Sequence, residues 1–362
     1  MQTYKFGNAE NHCHIFTSLL LLFFTVVYPY SLSNAQELTL YTWENYIAEQ
    51  VVKDFQKHSG IAVKLEYFDS DQVRDETIAS ISTNRFDLVI FDSISAQIFG
   101  KNNKILGISK SEIPNMKNID KRWQESCGNF GLPYFYGTVG IVYDATKFKK
   151  TPTSWKQLLS PETEHQGHVV MVEDMTDSLI PPLLSLGYNV NTEKESELKE
   201  AYTLLQKQVP WVLNYKYALT NLQHPGNGKR MHMALGYSGD QYSLNDASGS
   251  ENWQYIIPEE GTVIWVDCLS IPANSTHKKE ALQFLNYLAD PEVVAVNTEE
   301  IYAAPPVSAA RQFMSSEAAK DETLFPPEDF FQKAQMYRIL SDKNIRQRRR
   351  IFDAIQRQHE TQ

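Results

Sequence analysis

Apolar and polar positions between residues 38 and 91 follow two alternating periods, one typical of strands and the other typical of helices. Short apolar runs at 38–41, 61–67 and 88–91 predict strands. The stretches at 45–59 and 71–83 have apolar residues at helical spacing. This strand–helix order predicts right-handed crossovers and a parallel sheet, in which ligands bind at the loops after the carboxyl ends of the strands.

Two later apolar segments, 131–143 and 262–271, predict strands that pass from one lobe of the protein to another. An amphipathic helix is predicted at 278–288. Because two crossings make each lobe discontinuous in sequence, we predict an α/β fold of two lobes, each a mostly parallel sheet flanked by helices. Lobe 1 is predicted to comprise 36–141 and 269–311, and lobe 2 to comprise 142–268 and 312–362.

The N-terminal residues 1–35 predict a secretory signal peptide outside the fold. Lys5 supplies a modest positive region, the apolar run at 15–28 follows, and small residues lead to cleavage after Ala35. The run is short for a membrane span, with an uncleaved anchor helix as the alternative. Cys13 precedes the run, which is not the position of a lipid-anchored cysteine. We therefore expect export to a bacterial periplasm.

Composition and charge narrow the classes of partner. The net charge of −10 argues against nucleic acid and mildly favours a cationic partner. Most of the 19 tyrosines and 6 tryptophans must belong to a core, and a surplus of these residues also suits a site that binds a cation. Neither a Gly-x-Ser-x-Gly nor a His-Glu-x-x-His motif occurs, and the nine histidines lack metal-ligand spacing. We therefore predict a protein that is not an enzyme and has no cofactor or metal.

Two further features carry open alternatives. Cys127 and Cys268 could pair in an oxidising compartment, although their spacing does not place the two Cα atoms. The basic run at 346–350 is flanked by apolar residues at helical spacing, which predicts a helix with one buried face and one solvated basic face. A role in binding nucleic acid and docking of this run to a transporter are the alternatives.

Short segments place aromatic side chains beside carboxylates. They are Trp43-Glu44-Asn45-Tyr46, Tyr237-Ser238-Gly239-Asp240 and Trp265-Val266-Asp267, with Asp174 and Asp177 as a further acidic pair. A buried ammonium needs a carboxylate partner, and methylenes prefer aromatic walls, so this pattern suits an alkyl diamine or triamine. Each of these residues, taken singly, could have a structural role instead of binding a ligand. The tryptophans could belong to the core, the acidic pair could cap a helix, and Asp240 could form part of a turn.

The chain resembles the periplasmic spermidine/putrescine-binding proteins of ABC transporters over almost all of its length after residue 35. The matching segments are 41–46, 86–90, 132–134, 153–155, 186–188, 264–267, 271–274 and 284–288. The resemblance implies two α/β lobes joined by crossover strands that close on a ligand without catalysis. It also implies a monomer whose partners are a polyamine and a membrane permease with its ATPase, the permease being its only link to the membrane.

The resemblance, matched residue by residue, and the segments that place aromatic residues beside acids together predict a ligand site. The predicted site comprises Trp43, Glu44, Tyr46, Asp92, Asp174, Asp177, Tyr237, Asp240, Trp265, Asp267 and Tyr302. The chain departs from the family at Asp92, Ile94 and Asn45, where relatives usually have Ser, an aromatic residue or Ser, and an acid. The resemblance implies capture of putrescine or spermidine, and these departures leave the preferred amine open. A receptor for another small cationic amine, or a sensory subunit, is the alternative.

Overall fold

The computed structural model describes residues 36–68, 70–80, 85–224, 226 and 228–362, so the predicted signal peptide at 1–35 lies outside the described residues. The strands are β1 (Glu37–Thr42), β2 (Ala62–Tyr67), β3 (Leu88–Asp92), β4 (Leu132–Asp144), β5 (Val169–Met171), β6 (Val212–Tyr215), β7 (Met233–Tyr237), β8 (Trp253–Ile256), β9 (Val263–Ser270) and β10 (Gln335–Met336).

The α-helices are α1 (Glu49–Ser59), α2 (Asp71–Ser80), α3 (Ser93–Lys101), α4 (Trp155–Leu159), α5 (Ile180–Ser185), α6 (Glu195–Gln208), α7 (Ala218–Gln223), α8 (Asp240–Ser248), α9 (Lys278–Leu288), α10 (Pro291–Ile301), α11 (Glu328–Lys333) and α12 (Asp342–Glu360). Across the described ranges, no helix is long and apolar enough to cross a membrane.

The first predicted strands and helices are confirmed as β1, α1, β2, α2 and β3. β1 pairs in parallel with both β2 and β3. The helix predicted from residue 45 begins instead at Glu49, because Asn45 has a left-handed backbone with φ 55° and Ala48 is extended. It ends as predicted at Gly60, whose φ of 75° suits a residue without a Cβ.

The strands follow the order β2-β1-β3-β9-β4-β7-β5-β6. The first part of β4, Leu132 to Thr138, pairs antiparallel with β9, and the remainder pairs with β7 and β8. The predicted segments at 131–143 and 262–271 thus correspond to β4 and β9. Both are largely buried, as expected for strands that read as continuous apolar runs.

Two large hydrophobic cores contain different parts of these long strands. One surrounds β1, β3 and the N-terminal part of β4, and includes Phe91 and Phe284. The other surrounds β5, β7 and α6, and includes Trp155 and Leu183. The half-buried Trp265 on β9 packs against both cores. This arrangement matches the predicted two-lobed α/β fold, in which the ends of the strands meet between the cores.

Cys127 and Cys268 form a disulfide between the segment before β4 and the middle of β9. Both residues are fully buried. The pairing resolves the alternative that the sequence left open. It also attaches β9 covalently to the first core at the position next to Asp267.

The basic run at 346–350 lies on α12, as predicted, and Ile355 of this helix is buried. The prediction of a wholly solvated basic face is wrong at Arg348, which is 1% exposed. Its guanidinium donates to the backbone oxygens of Val190 and Thr192 and to Asn344 Oδ1. These acceptors compensate for the burial of its charge.

Candidate ligand-binding site

Two carboxylates face each other where β3 and β9 pair. Asp92 is the last residue of β3 and lies directly opposite Asp267 in this antiparallel pair. Like charges in that position destabilise a sheet, so a cation between them would be stabilising. Along β9, Trp265 and Asp267 are half-buried whereas Ile264, Val266 and Cys268 are buried. This alternation confirms that Trp265 and Asp267 share one face, as the strand period predicts.

Asp267 is held by the hydroxyl of Tyr46. The phenol donates to Asp267 Oδ2 at 2.6 Å, and Tyr46 is itself fixed by Tyr134, whose hydroxyl donates to the Tyr46 backbone oxygen at 2.9 Å. Enclosure by the surrounding protein raises the pKa of Asp267 to about 7, and the hydrogen bond from Tyr46 opposes that rise. The carboxyl group is therefore poised to ionise when a cation arrives.

Asp174 and Asp177 follow β5 and have different partners. Asp174 Oδ1 accepts from the backbone N–H groups of Thr176 and Asp177, both at 2.7 Å, and so stabilises the turn between them. Neither acid forms the side-chain cap of the following helical segments, which was the alternative. Asp177 is bound instead by two phenols: Tyr237 donates to Oδ2 at 2.7 Å, and Tyr337 donates to Oδ1. Enclosure raises the pKa of both acids, to about 7 for Asp174, where the charge of Asp177 adds to the rise.

Asp240 opens α8 after Gly239, whose φ is 100°. The carboxylate is buried and accepts from the backbone N–H of Tyr237 at 2.8 Å and from the hydroxyl of Tyr217. Burial raises the pKa of Asp240 to about 6, against the effect of these two hydrogen bonds. The ring centroids of Tyr217 and Tyr237 lie 6.2 Å apart, so the hydroxyl donors of Asp240 and Asp177 are neighbours.

A second acidic group surrounds Arg74 on α2. The guanidinium bonds to Asp71, to Asp75 Oδ1 at 2.9 Å and to Asp92 Oδ2 at 3.2 Å. The other oxygen of Asp92 caps α3 by accepting from the N–H groups of Ile94 and Ser95. The sequence analysis did not predict Asp71, Arg74 or Asp75 as site residues. Their position at the start of a helix after the carboxyl end of β2 is the signal that could have found them.

The acids around Arg74 act electrostatically on the acids that the tyrosine hydroxyls and backbone N–H groups bind. The charge of Asp92 raises the pKa values of Asp174, Asp177 and Asp267, and that of Asp71 raises the pKa of Asp267 further. We refer to the whole set as the acidic site. It comprises Asp71, Asp75, Asp92, Asp174, Asp177, Asp240 and Asp267. Its charge makes it suited to a ligand with several positive groups.

The remaining predicted residues lie at different places around the site. Trp43 is half-buried against Phe68, with ring centroids 4.4 Å apart. Tyr302 ends α10 and stacks on Tyr242 at 4.8 Å, and its backbone oxygen adjoins the turn that presents Asp240. Glu44 lies on an exposed turn. Within the described ranges, no three His, Cys, Asp or Glu side chains form a group that could hold a metal ion.

Comparison with known proteins places the chain among exported binding proteins. The family model for bacterial extracellular solute-binding proteins matches residues 50–327. A norspermidine sensor of Vibrio cholerae is 34% identical over 345 residues, which cover 95% of this chain and 94% of the relative. The spermidine/putrescine-binding periplasmic protein of Escherichia coli is 28% identical, with 80% of this chain and 83% of the relative covered.

The fold also matches a solved structure. The spermidine/putrescine ABC transporter substrate-binding protein PotD of Streptococcus pneumoniae superposes with a TM-score of 0.76 and 23% identity. The match covers 90% of this chain and 99% of that one. It confirms the two-lobed α/β fold.

Proposed function

Because this chain belongs to the family of bacterial extracellular solute-binding proteins, we propose that its acidic site captures a polyamine. The observation that carries the proposal is that Asp177, Asp240 and Asp267 receive hydrogen bonds from neutral tyrosine hydroxyls. These bonds orient the carboxylates without neutralising them. Each ionised carboxylate has about four lone-pair positions, so it retains capacity to accept from an ammonium.

An alkyl polyamine fits this arrangement because its charges are separated by methylenes. The ammonium groups would pair with Asp267, with Asp174 or Asp177, and with Asp240. Trp43, Tyr237 and Trp265 would wall the alkyl chain and add cation–π attraction of about 0.5–2 kcal/mol per ammonium. Tyr46, Asp92 and Tyr302 complete the proposed ligand set, and the exposed Glu44 is its most marginal member.

We place this capture in the periplasm, after cleavage of a signal peptide at residue 35. The two predicted lobes would close on the ligand by a hinge motion at β4 and β9, the strands that run between the two cores. A monomer would then deliver the polyamine to an ABC permease and its ATPase. The Escherichia coli relative named as a spermidine/putrescine-binding periplasmic protein supports this assignment.

Titration calorimetry on the exported, purified protein tests the proposal directly. The panel is putrescine, cadaverine, norspermidine, spermidine and spermine, with an uncharged diol of matched length as the control ligand. We expect heat and thermal stabilisation with at least one amine and none with the diol. Absence of both effects with every amine would contradict polyamine capture.

A sensory role is the second candidate, and the 34% identity to a norspermidine sensor over 94% of its length favours it. Deletion of the gene separates the two roles. Loss of polyamine uptake supports delivery to a transporter. Unchanged uptake, together with a lost transcriptional response to external polyamine, supports a sensor.

A further inference from the structure

Arg74 is a cation built into the acidic site itself. It is 1% exposed, and its guanidinium reaches the carboxylates of Asp71, Asp75 and Asp92. The guanidinium carbon also lies 4.8 Å from the ring centroid of Phe91. Carboxylates combined with an aromatic face are the environment that an ammonium of the proposed ligand would need.

The three carboxylates bonded to Arg74 are far more accessible than Arg74 itself. The exposed fraction of the side chain is 50% for Asp71, 37% for Asp75 and 36% for Asp92. One positive charge therefore lies behind three partly exposed negative charges. The group has a formal charge of −2 when all three acids are ionised, and it would be −3 without the arginine.

The field of Arg74 extends to the proposed ligand carboxylates. Its charge lowers the pKa of Asp267, in the direction opposite to the effects of Asp71 and Asp92. Asp92 connects the two groups, since it bonds to Arg74 and lies directly opposite Asp267 on the paired strand. A cation bound beside Asp267 would be repelled by Arg74 and attracted by the acids that surround it.

From this geometry we infer that Arg74 is an internal counter-cation that fills one cationic position of the acidic site and thereby limits how many charges the ligand brings. The inference rests on the proposed function and deepens it. Repulsion from a fixed positive charge grows with the charge of the ligand, so Arg74 disfavours a tetraamine more than a diamine. It acts as a specificity-determining residue through repulsion rather than through a new attractive contact.

A purely structural role is the competing explanation, because Arg74 also links α2 to the end of β3 through Asp92. The two explanations differ in what a substitution changes. Loss of a structural link lowers stability and weakens all ligands alike. Loss of a counter-cation changes the order of affinities according to the number of ammonium groups.

The experiment compares the wild type with Arg74→Gln and Arg74→Lys. Dissociation constants are measured for putrescine, spermidine and spermine at fixed salt, and folding is followed by thermal unfolding. In Arg74→Gln, the affinity for spermine relative to putrescine should rise at least tenfold. Arg74→Lys keeps the charge but loses the planar fork, so it should keep the wild-type order of affinities.

An unchanged ratio of spermine affinity to putrescine affinity in a folded Arg74→Gln protein overturns the inference, and so does an equal shift of this ratio in Arg74→Lys. If Arg74→Gln does not fold, Asp75→Asn provides the reverse test because it leaves Arg74 less neutralised. The preference for spermine over putrescine should then fall about threefold or more, and no change overturns the inference. A wild-type protein that binds none of the amines contradicts the proposed function instead, so the two failures are distinguishable.

Discussion

Asp87 and Asp92 flank the same strand, β3, and their surroundings show how a structural acid differs from a ligand-binding acid. Asp87 precedes the strand and is 4% exposed. It accepts from the Thr39 backbone N–H, the Ser275 hydroxyl and a ring nitrogen of His277, within 2.8–3.1 Å. Asp92 ends the strand, is partly exposed and faces another carboxylate, Asp267. One end of β3 thus holds a single buried acid with three donors. The other end brings Asp92, which Arg74 and two backbone N–H groups bind, against a second carboxylate.

The lesson is that burial of an acid does not identify a binding site by itself. What distinguishes the acidic site is that its carboxylates crowd together while their hydrogen-bond donors are mostly phenols and backbone N–H groups. Such an arrangement lowers the stability of the empty protein and is retained where it serves binding. The predictions below test this difference between the two ends of β3.

The largest effect is expected for Asp267→Asn. Removal of one partner of a buried ion pair costs about 3 kcal/mol or more, so polyamine affinity should fall about 100-fold. The empty variant should unfold at a higher temperature than the wild type, because one crowded charge is gone. Calorimetry and thermal unfolding measure the two quantities.

Asp87→Asn is the matched control for that substitution. It should lower the unfolding temperature, because both Asp87 oxygens accept hydrogen bonds and an amide NH2 in place of one of them faces a donor. The dissociation constant should stay within about twofold. If both variants lost affinity equally, the distinction between the two ends of β3 would be wrong.

A change of pH should alter binding and stability in opposite directions. The folded pKa values of Asp174 and Asp267 are about 7 and that of Asp240 is about 6, all above the usual value near 4 in an unfolded chain. Their contribution to stability is therefore complete below about pH 4 and is lost as the pH rises through 6 to 7. The empty protein should be more stable at about pH 5.5 than at about pH 7.5.

Polyamine binding needs these acids ionised, whereas aliphatic amines keep their protons over most of this range. Affinity should thus fall about tenfold between about pH 7.5 and pH 5.5. Calorimetry in buffers of different ionisation enthalpy should also detect proton release on binding near pH 7. Affinity that is independent of pH would show that the acids are ionised before the ligand arrives.

The parts of the fold and site that could be predicted are those with a local pattern. β4 is buried on both faces and β9 on most of its length, so their continuous apolar runs predicted them. The period of two along β9 placed Trp265 and Asp267 on one face. The pairing of Cys127 with Cys268 could not be predicted, because 141 residues separate the two cysteines and only the fold brings them together.

The residues that sequence reasoning missed have no local pattern. Tyr217 and Tyr337 reach the site from segments distant in the chain, and a tyrosine that donates to a carboxylate looks the same in sequence as one in the core. Arg74 resembles an ordinary solvated charge on a helix. Its burial depends on how α2 packs beside the end of β3, which is a tertiary property.

Tyr337→Phe should have a smaller effect than the loss of a carboxylate. It removes one of the two hydroxyl donors to Asp177 and keeps the aromatic ring. A hydrogen bond of this kind contributes about 1 kcal/mol, so affinity should fall about fivefold. Tyr188→Phe is the control, since it removes a phenol–carboxylate bond to Glu200 on the surface, and it should leave affinity unchanged. Equal effects of the two variants would contradict a role for the Tyr337 hydroxyl in presenting Asp177.

The smallest effect is expected for Glu44→Gln. Glu44 was predicted from its segment to bind the ligand, and its turn leaves the side chain exposed. An exposed charge is screened by water and salt and contributes less than about 1 kcal/mol to a pair, so affinity should change less than about twofold. Calorimetry at low and physiological salt measures this change. A tenfold loss at physiological salt would instead place Glu44 against an ammonium in the closed protein, and the acidic site would then extend to the loop after β1.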